Sequence, residues 1–396
     1  MNAHILIVMM ACMTIVTAAV DMYLPALPTM VNVFHTSGDV IQYSMVLNVL
    51  AAATSGFFYG ILSDSHGRKK LLIFGLSIVI ITTLMGAFSE NVFEFNLSRL
   101  LQGLGSGAIY VLIPSIIADS YKGLQKAKIF GLFGILFPIS LGIAPFIGEQ
   151  LLAFYGWKSS FYFIAIFLIA VMLYLMIHLP ETKNIKEHRS LKKAVLEAVN
   201  IGKNLPVLVY ALIPSLYMGA YMAFISNSPF IYMDYFGLSP EIYVYYFTAP
   251  LGVQILSAFV YQLLIFRIGT QKSFILGISA SAISVSLILL FSTNTILITP
   301  LFMSISMCLY NFGISFILPI SMTWSMETFP NRAGTISSVI SIVRNISISS
   351  AVGCAAFFFN SSPYPTLTTM IVFFCLFLLI AYKALQLQSS QALVAK

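Results

Sequence analysis

A chain of 396 residues that is 59% hydrophobic, 8% charged and formally +7 has a mean hydropathy of +0.95. Soluble domains carry about 25% charged residues, so no soluble core accounts for this composition, and the bilayer is the solvent. The positive charge does not mark a nucleic-acid partner, because the basic residues are scattered over short segments between apolar runs.

Twelve runs of roughly 20 residues or more are predicted to span the bilayer as helices. They lie at about 4–30, 39–63, 70–89, 92–119, 126–153, 158–179, 206–235, 240–266, 271–291, 296–326, 332–359 and 365–385. The fold class is therefore an all-α membrane protein of two pseudo-symmetric six-helix bundles. The bundles are expected at 1–183 and 206–396, with a cytoplasmic linker at 184–205. Residues 5–20 imitate a secretory signal, but no Lys or Arg precedes them and the run continues into Asp21-Met-Tyr-Leu-Pro-Ala-Leu-Pro28. They are read as a retained helix 1.

Between helices 2 and 3 stands a charged, glycine-punctuated island, Gly60-Ile-Leu-Ser-Asp64-Ser-His-Gly67-Arg68-Lys69-Lys70. Its basic cluster assigns this edge to the cytoplasm. The same rule sends every one of the 20 basic residues inside except Lys158, Arg99 and Arg344, which puts both termini in the cytoplasm. A shift of 202 residues superposes the halves without gaps. Phe34 meets Phe236, Ser37 meets Ser239, Tyr59 meets Tyr261, Gly67 meets Gly269, Lys70 meets Lys272 and Gly75 meets Gly277. Parallel repeats of this kind are built about an axis normal to the membrane.

Charge inside a span is costly and therefore informative. Asp21 in helix 1 and Arg99 in helix 4 are expected at similar depth, either as a static ion pair or as a polar network. Alternation between a paired and a desolvated setting would let Asp21 release and load a proton. At the inner face Arg68 can pair with Asp119. Arg344, about twelve residues into helix 11, either lines a cavity that attracts an anionic or dipolar substrate or meets a helix carbonyl. Tyr23, Gln102, Tyr217, Tyr221, Asn227, Asn311 and Trp324 are candidate cavity residues, against the plain alternative of packing. Gly56 and Gly60, like Gly103 and Gly107, have the small-xxx-small spacing that lets helices approach. The four cysteines lie in apolar runs and the five histidines show no metal-ligand spacing, so no metal or cofactor is expected.

The island's pattern Gly-x-Leu-x-Asp-x-x-Gly-Arg-Lys resembles the loop between helices 2 and 3 of the major facilitator superfamily. Asp-Met-Tyr-Leu-Pro-Ala-Leu-Pro and Arg99-Leu-Leu-Gln102-Gly103-Leu-Gly105 resemble helices 1 and 4 of its bicyclomycin- and chloramphenicol-resistance branch of drug/proton antiporters. The resemblance implies that Arg99 belongs to the proton-coupling network. It implies too that Asp64 meets the start of helix 11 near Arg332, forming with Gly67, Arg68 and Asp119 a gate that latches the halves. Helices 1, 4, 7 and 10 would line a central site. The helix 5 motif of exporters, Gly-Pro-x-x-Gly-Gly, reads Ala144-Pro145-Phe-Ile-Gly148-Glu149 here, so Pro145 and Gly148 remain while Ala144 and Glu149 replace glycines. The expectation is a proton-coupled exporter of a small organic molecule, monomeric, in a bacterial inner membrane. A carrier of a natural metabolite such as a carboxylate siderophore is the alternative within this fold. A membrane-embedded enzyme lacks support, since His-Glu-x-x-His, Gly-x-Ser-x-Gly and clustered intramembrane carboxylates are all missing.

Overall fold

The structure, a computed structural model, describes residues 3–121, 123–182, 196, 199–292, 299–328, 333–360 and 362–394. Arg332 and the side chain of Asp64 lie outside the described residues. Two compact units are present, Met1–Ala194 and Val195–Lys396, and their boundary falls within the segment read as the linker.

In the first unit, helix α1 (Ala3–Asp21) is followed by a 3-10 turn (Leu24–Ala26) and a short helix (Leu27–Val33). Then come α2 (Gly38–His66), α3 (Arg68–Phe88), α4 (Val92–Ser120), α5 (Gly123–Tyr155) and α6 (Ser159–His178). The second unit holds α7 (Leu205–Pro229), which runs on as a π-helical turn (Phe230–Tyr235), and a helical stretch Pro240–Ser292. That stretch breaks at Gly269 (φ 79, ψ 172) into α8 and α9. It is followed by α10 (Pro300–Thr328), α11 (Ala333–Phe357) and α12 (Tyr364–Val394). Among the described residues, ten helical stretches are long and apolar enough to cross a membrane. Splitting one at Gly269 and adding α5 brings the spans to the twelve read from the sequence.

Many large apolar side chains face outward. Phe266 is 92% exposed and Ile177 is 76% exposed, which suits hydrocarbon and not water. Inside the first unit Leu72, Leu76, Ile109, Leu112 and Leu168 are wholly buried in one core. Inside the second, Tyr217 and Tyr310 stack with ring centroids 4.4 Å apart.

The repeat extends to backbone detail. Gly67 and Gly269, which open α3 and α9, both have positive φ, 87° and 79°, a conformation open to glycine at little cost. A Cβ on Gly75 would meet the Gly105 carbonyl at 3.0 Å, and one on Gly105 would meet the Gly75 carbonyl at 2.7 Å. Gly277 and Gly313 repeat this reciprocal contact at 3.2 and 2.7 Å. Each unit thus clamps its third helix onto the helix after it in the same way.

Two expectations change. Helix 1 is not continuous. Pro25 has no N–H for the carbonyl of Asp21 four residues earlier, and α1 ends at Asp21. Gly60 is not a close-approach position, because a Cβ there would meet Val111 Cγ1 at 3.4 Å, an ordinary contact. At Gly56, Gly103, Gly107 and Gly148 the approach is close. Added Cβ atoms there would press on Val111 at 3.2 Å and on the carbonyls of Asn48, Ala52 and Met22 respectively.

Candidate functional site

Asp21 occupies the break in helix 1, where α1 ends and the 3-10 turn follows, and is 3% exposed. Its carboxylate receives no hydrogen bond and joins no ion pair among the described residues, while the charge of Arg99 acts on it across the gap. Gly148 of α5 packs on the Met22 carbonyl beside it, and Pro145 is buried one turn earlier on α5.

Arg99 of α4, 1% exposed, turns to other partners. One Nη donates to Gln102 Oε1 and the other reaches the Ala19 carbonyl at 3.5 Å. The guanidinium lies over the Tyr23 ring, 4.6 Å from its centroid, where the ring quadrupole attracts a cation. Tyr23 in turn shares a 3.0 Å hydrogen bond with Ser44 of α2. Asn48 of α2 donates to the Arg99 carbonyl at 2.9 Å and to Gln102 Oε1 at 3.3 Å. Gln102 Nε2 donates to Thr83 Oγ1 of α3 at 2.7 Å. Four helices therefore meet in one buried polar network around Arg99. Sequence reasoning reached Asp21, Tyr23, Arg99 and Gln102 but missed Ser44, Asn48 and Thr83. Neutral polar residues are common in spans, and nothing local separates these from helix-facing ones.

The Tyr23 ring of the network belongs to an aromatic cluster. Tyr23, Phe95 and Phe161 pack within 5.9 Å of one another, centroid to centroid, and Phe34 and Trp157 extend the cluster.

At the edge opened by Gly67, Arg68 Nη1 lies 3.0 Å from Asp119 Oδ2. The pair is a charge contact and not an aligned hydrogen bond, for Nη1 has no hydrogen-bond partner by angle. Glu181, just beyond α6, was not among the expected residues. Its carboxylate accepts the backbone N–H groups of Arg68 at 2.9 Å and Lys69 at 3.1 Å, which satisfies unpaired donors at the N-terminus of α3. Asp64 lies in the last turn of α2.

In the second unit the expected cavity residues Tyr217, Tyr221, Asn227, Asn311 and Trp324 are all buried. Tyr217 is a packing residue within its unit. Its hydroxyl bonds Ser281 of α9 and the Tyr310 carbonyl of α10, both at 2.6 Å. Trp324 packs on Phe274 at 4.8 Å and on Tyr210 at 5.9 Å. Tyr221 stacks on Tyr310 at 6.2 Å. Asn227 and Asn311 give their N–H groups to their own helices, to Ala223 and Met307, and their Oδ1 atoms have no donor among the described residues. Arg344 of α11 is half-buried and has no hydrogen bond or ion pair among the described residues. The described residues contain no cluster of His, Cys, Asp and Glu that could hold a metal.

The sequence profile of the Major Facilitator Superfamily matches residues 9–352. The chain is 27% identical over 332 residues, 82% of its length and 81% of the relative's, to the uncharacterized MFS-type transporter YdgK of Bacillus subtilis (strain 168). It is 25% identical over 337 residues, 82% of each chain, to a bicyclomycin resistance protein homolog of Haemophilus influenzae. It is 26% identical over 342 residues, 86% of its length and 85% of the relative's, to the multidrug resistance protein MdtL of Escherichia coli O157:H7. The crystal structure of a D-xylose-proton symporter superposes with a TM-score of 0.74 over 94% of this chain and 96% of that one, at 13% identity. That last likeness is one of fold.

Proposed function

The chain belongs to the Major Facilitator Superfamily, and from that premise we propose that it is a proton-coupled secondary transporter that exports a small organic molecule by alternating access. The observation that carries this reading is Asp21, a buried acid without a hydrogen bond among the described residues, set at a helix break within reach of the Arg99 charge. A carboxylate so placed is costly while charged and is relieved by protonation or by the approach of a cation. The break gives Arg99 an open carbonyl region to lean on, and the network from Gln102 to Thr83 holds it short of Asp21. Proton loading at Asp21 and its return to a charged, Arg99-facing state are then the two ends of the coupling cycle. Resistance proteins among the relatives support export as the direction.

The test is transport in vesicles of defined lipid, with and without an imposed pH gradient, across a panel of compounds. The wild-type protein should move at least one compound against its gradient only when the pH gradient is present. Asp21→Asn should remain folded and lose that uphill movement. Undiminished uphill transport by Asp21→Asn rejects the assignment.

A second reading, a carrier of a specific anionic metabolite, is favoured by Arg344 alone. A half-buried cation inside a span, without a partner among the described residues, is expensive, and an anionic cargo would relieve it. Within the first unit, Gly67, Arg68 and Asp119 are the described part of the group read from the sequence as an inner gate, and both termini fit a cytoplasmic position on the charge pattern.

A further inference from the structure

The arrangement of donors around Gln102 has one direction. Thr83 Oγ1 donates to the Val79 carbonyl at 2.6 Å, so its single proton is committed and toward Gln102 it only accepts. It accepts Gln102 Nε2 at 2.7 Å. That requirement puts the amide nitrogen toward α3 and the amide oxygen toward α4 and α2, where Oε1 accepts both Arg99 and Asn48. A reversed amide would set two donors against the guanidinium and an acceptor against a hydroxyl with no proton to give. All of these groups are buried, Gln102 and Arg99 to within 2% exposure and Thr83 to within 1%.

We propose that Thr83 is a positioning residue for proton coupling: by fixing the direction of the Gln102 amide it holds Arg99 on Gln102 and away from Asp21. This rests on the reading of Asp21 as the proton site. Removing the hydroxyl leaves Gln102 Nε2 buried without an acceptor, a state costly enough to drive the side chain to a new position. Arg99 then loses its fixed acceptor and moves toward the nearest anion. Among the described residues, the charged or titratable side chains linked electrostatically to Asp21 are Arg99 and Tyr110, both from α4; on α5, Glu149 follows the Gly148 that packs on Met22. The α6 side supplies Phe161 against Tyr23. Arg99 is the cation in this set, so its approach favours the carboxylate form of Asp21.

The experiment follows the protonation of Asp21 directly and needs no known substrate. Dicyclohexylcarbodiimide modifies a carboxyl group in its protonated form, so peptide-resolved mass spectrometry of the labelled full-length protein between pH 5 and 9 gives a midpoint for Asp21. Thr83→Val and Thr83→Ala should both move that midpoint to lower pH by about one unit, the low end of what a nearby Arg does to an Asp. Thr83→Ser keeps the hydroxyl and should label like wild type. Two hydroxyl-free variants of different volume are used so that a folding defect in one does not decide the result. A wild-type midpoint in Thr83→Val or Thr83→Ala overturns the proposal, as does a shift in Thr83→Ser as large as theirs. Failure of Asp21 to titrate in the wild-type protein is a different outcome: it overturns the assignment of Asp21 as the proton site, and this proposal with it.

Discussion

Glu181 caps Arg68: the carboxylate at the end of the sixth span accepts the first backbone N–H of the third, at 2.9 Å. A Cβ on the intervening Gly67 would stand 2.6 Å from Glu181 Oε2. The chain between α2 and α3 therefore turns tightly enough, at φ 87°, to bring a carboxylate and a helix terminus together, and only glycine fits the turn.

Glu181→Ala should lower stability by about 1 kcal/mol, the usual cost of a lost N-terminal cap. Glu181→Gln should cost less, since its amide oxygen still accepts one N–H. Gly67→Ala should cost at least as much as Glu181→Ala, because it adds a positive-φ penalty to the clash. Thermal unfolding in detergent would rank the three, and a neutral Gly67→Ala would show that the turn relaxes freely.

For Arg68 and Asp119 a double-mutant cycle is the appropriate measurement. The side chains are 10% and 29% exposed, and the contact lacks an aligned hydrogen bond, so the coupling expected is small, about 0–1 kcal/mol. The charge-swapped pair, with Asp at 68 and Arg at 119, should recover part of what either single change loses in transport. If the swap is no better than the single variants, the role of the pair is not one of charge.

Close approach separates the glycines. Gly103→Ala and Gly148→Ala place a methyl on the backbone carbonyls of Asn48 and Met22, which cannot move without moving a helix, and should cost about 1–3 kcal/mol each. Gly60→Ala meets only a valine methyl at ordinary distance and should leave expression and melting temperature near wild type. Equal effects at 60 and 148 would contradict these contacts.

Arg344 should govern the charge of the cargo. Arg344→Gln should weaken binding of an anionic substrate by tenfold or more, at about 1.4 kcal/mol per tenfold. Arg344→Lys should restore it in part, since an ammonium cannot make the two-pronged contact of a guanidinium. Ligand-dependent thermal stabilisation measures both. Best transport of lipophilic cations by the wild-type protein would refute an anion-selecting role.

Much of this molecule is legible without coordinates because lipid leaves few options. A chain this apolar can satisfy its backbone in hydrocarbon as helices, so run length alone counts the spans. Asp21, Arg99 and Arg344 announce themselves, since charge is rare inside a span. Gly67 and Gly269, matched across the repeat, both prove to open a helix with positive φ.

What tertiary structure decided is who bonds to whom. Sequence places Asp21 and Arg99 at similar depth but cannot say that Arg99 settles on Gln102, Ala19 and Tyr23. Asn48 and Thr83 carry no signal of their own, because a polar side chain in a helix can bond its own preceding carbonyl or turn to a neighbour. Their partners lie on helices far along the chain. The same limit hid Glu181, which looks like one more charge before a linker until α3 is packed beside it. It also hid the difference between Gly60 and Gly148, for spacing offers room for approach while only the packed neighbour uses it. Local rules govern the helices. The choice among buried polar partners is made where several helices converge, and there the physics of an unsatisfied group, not the pattern of residues, selects the arrangement.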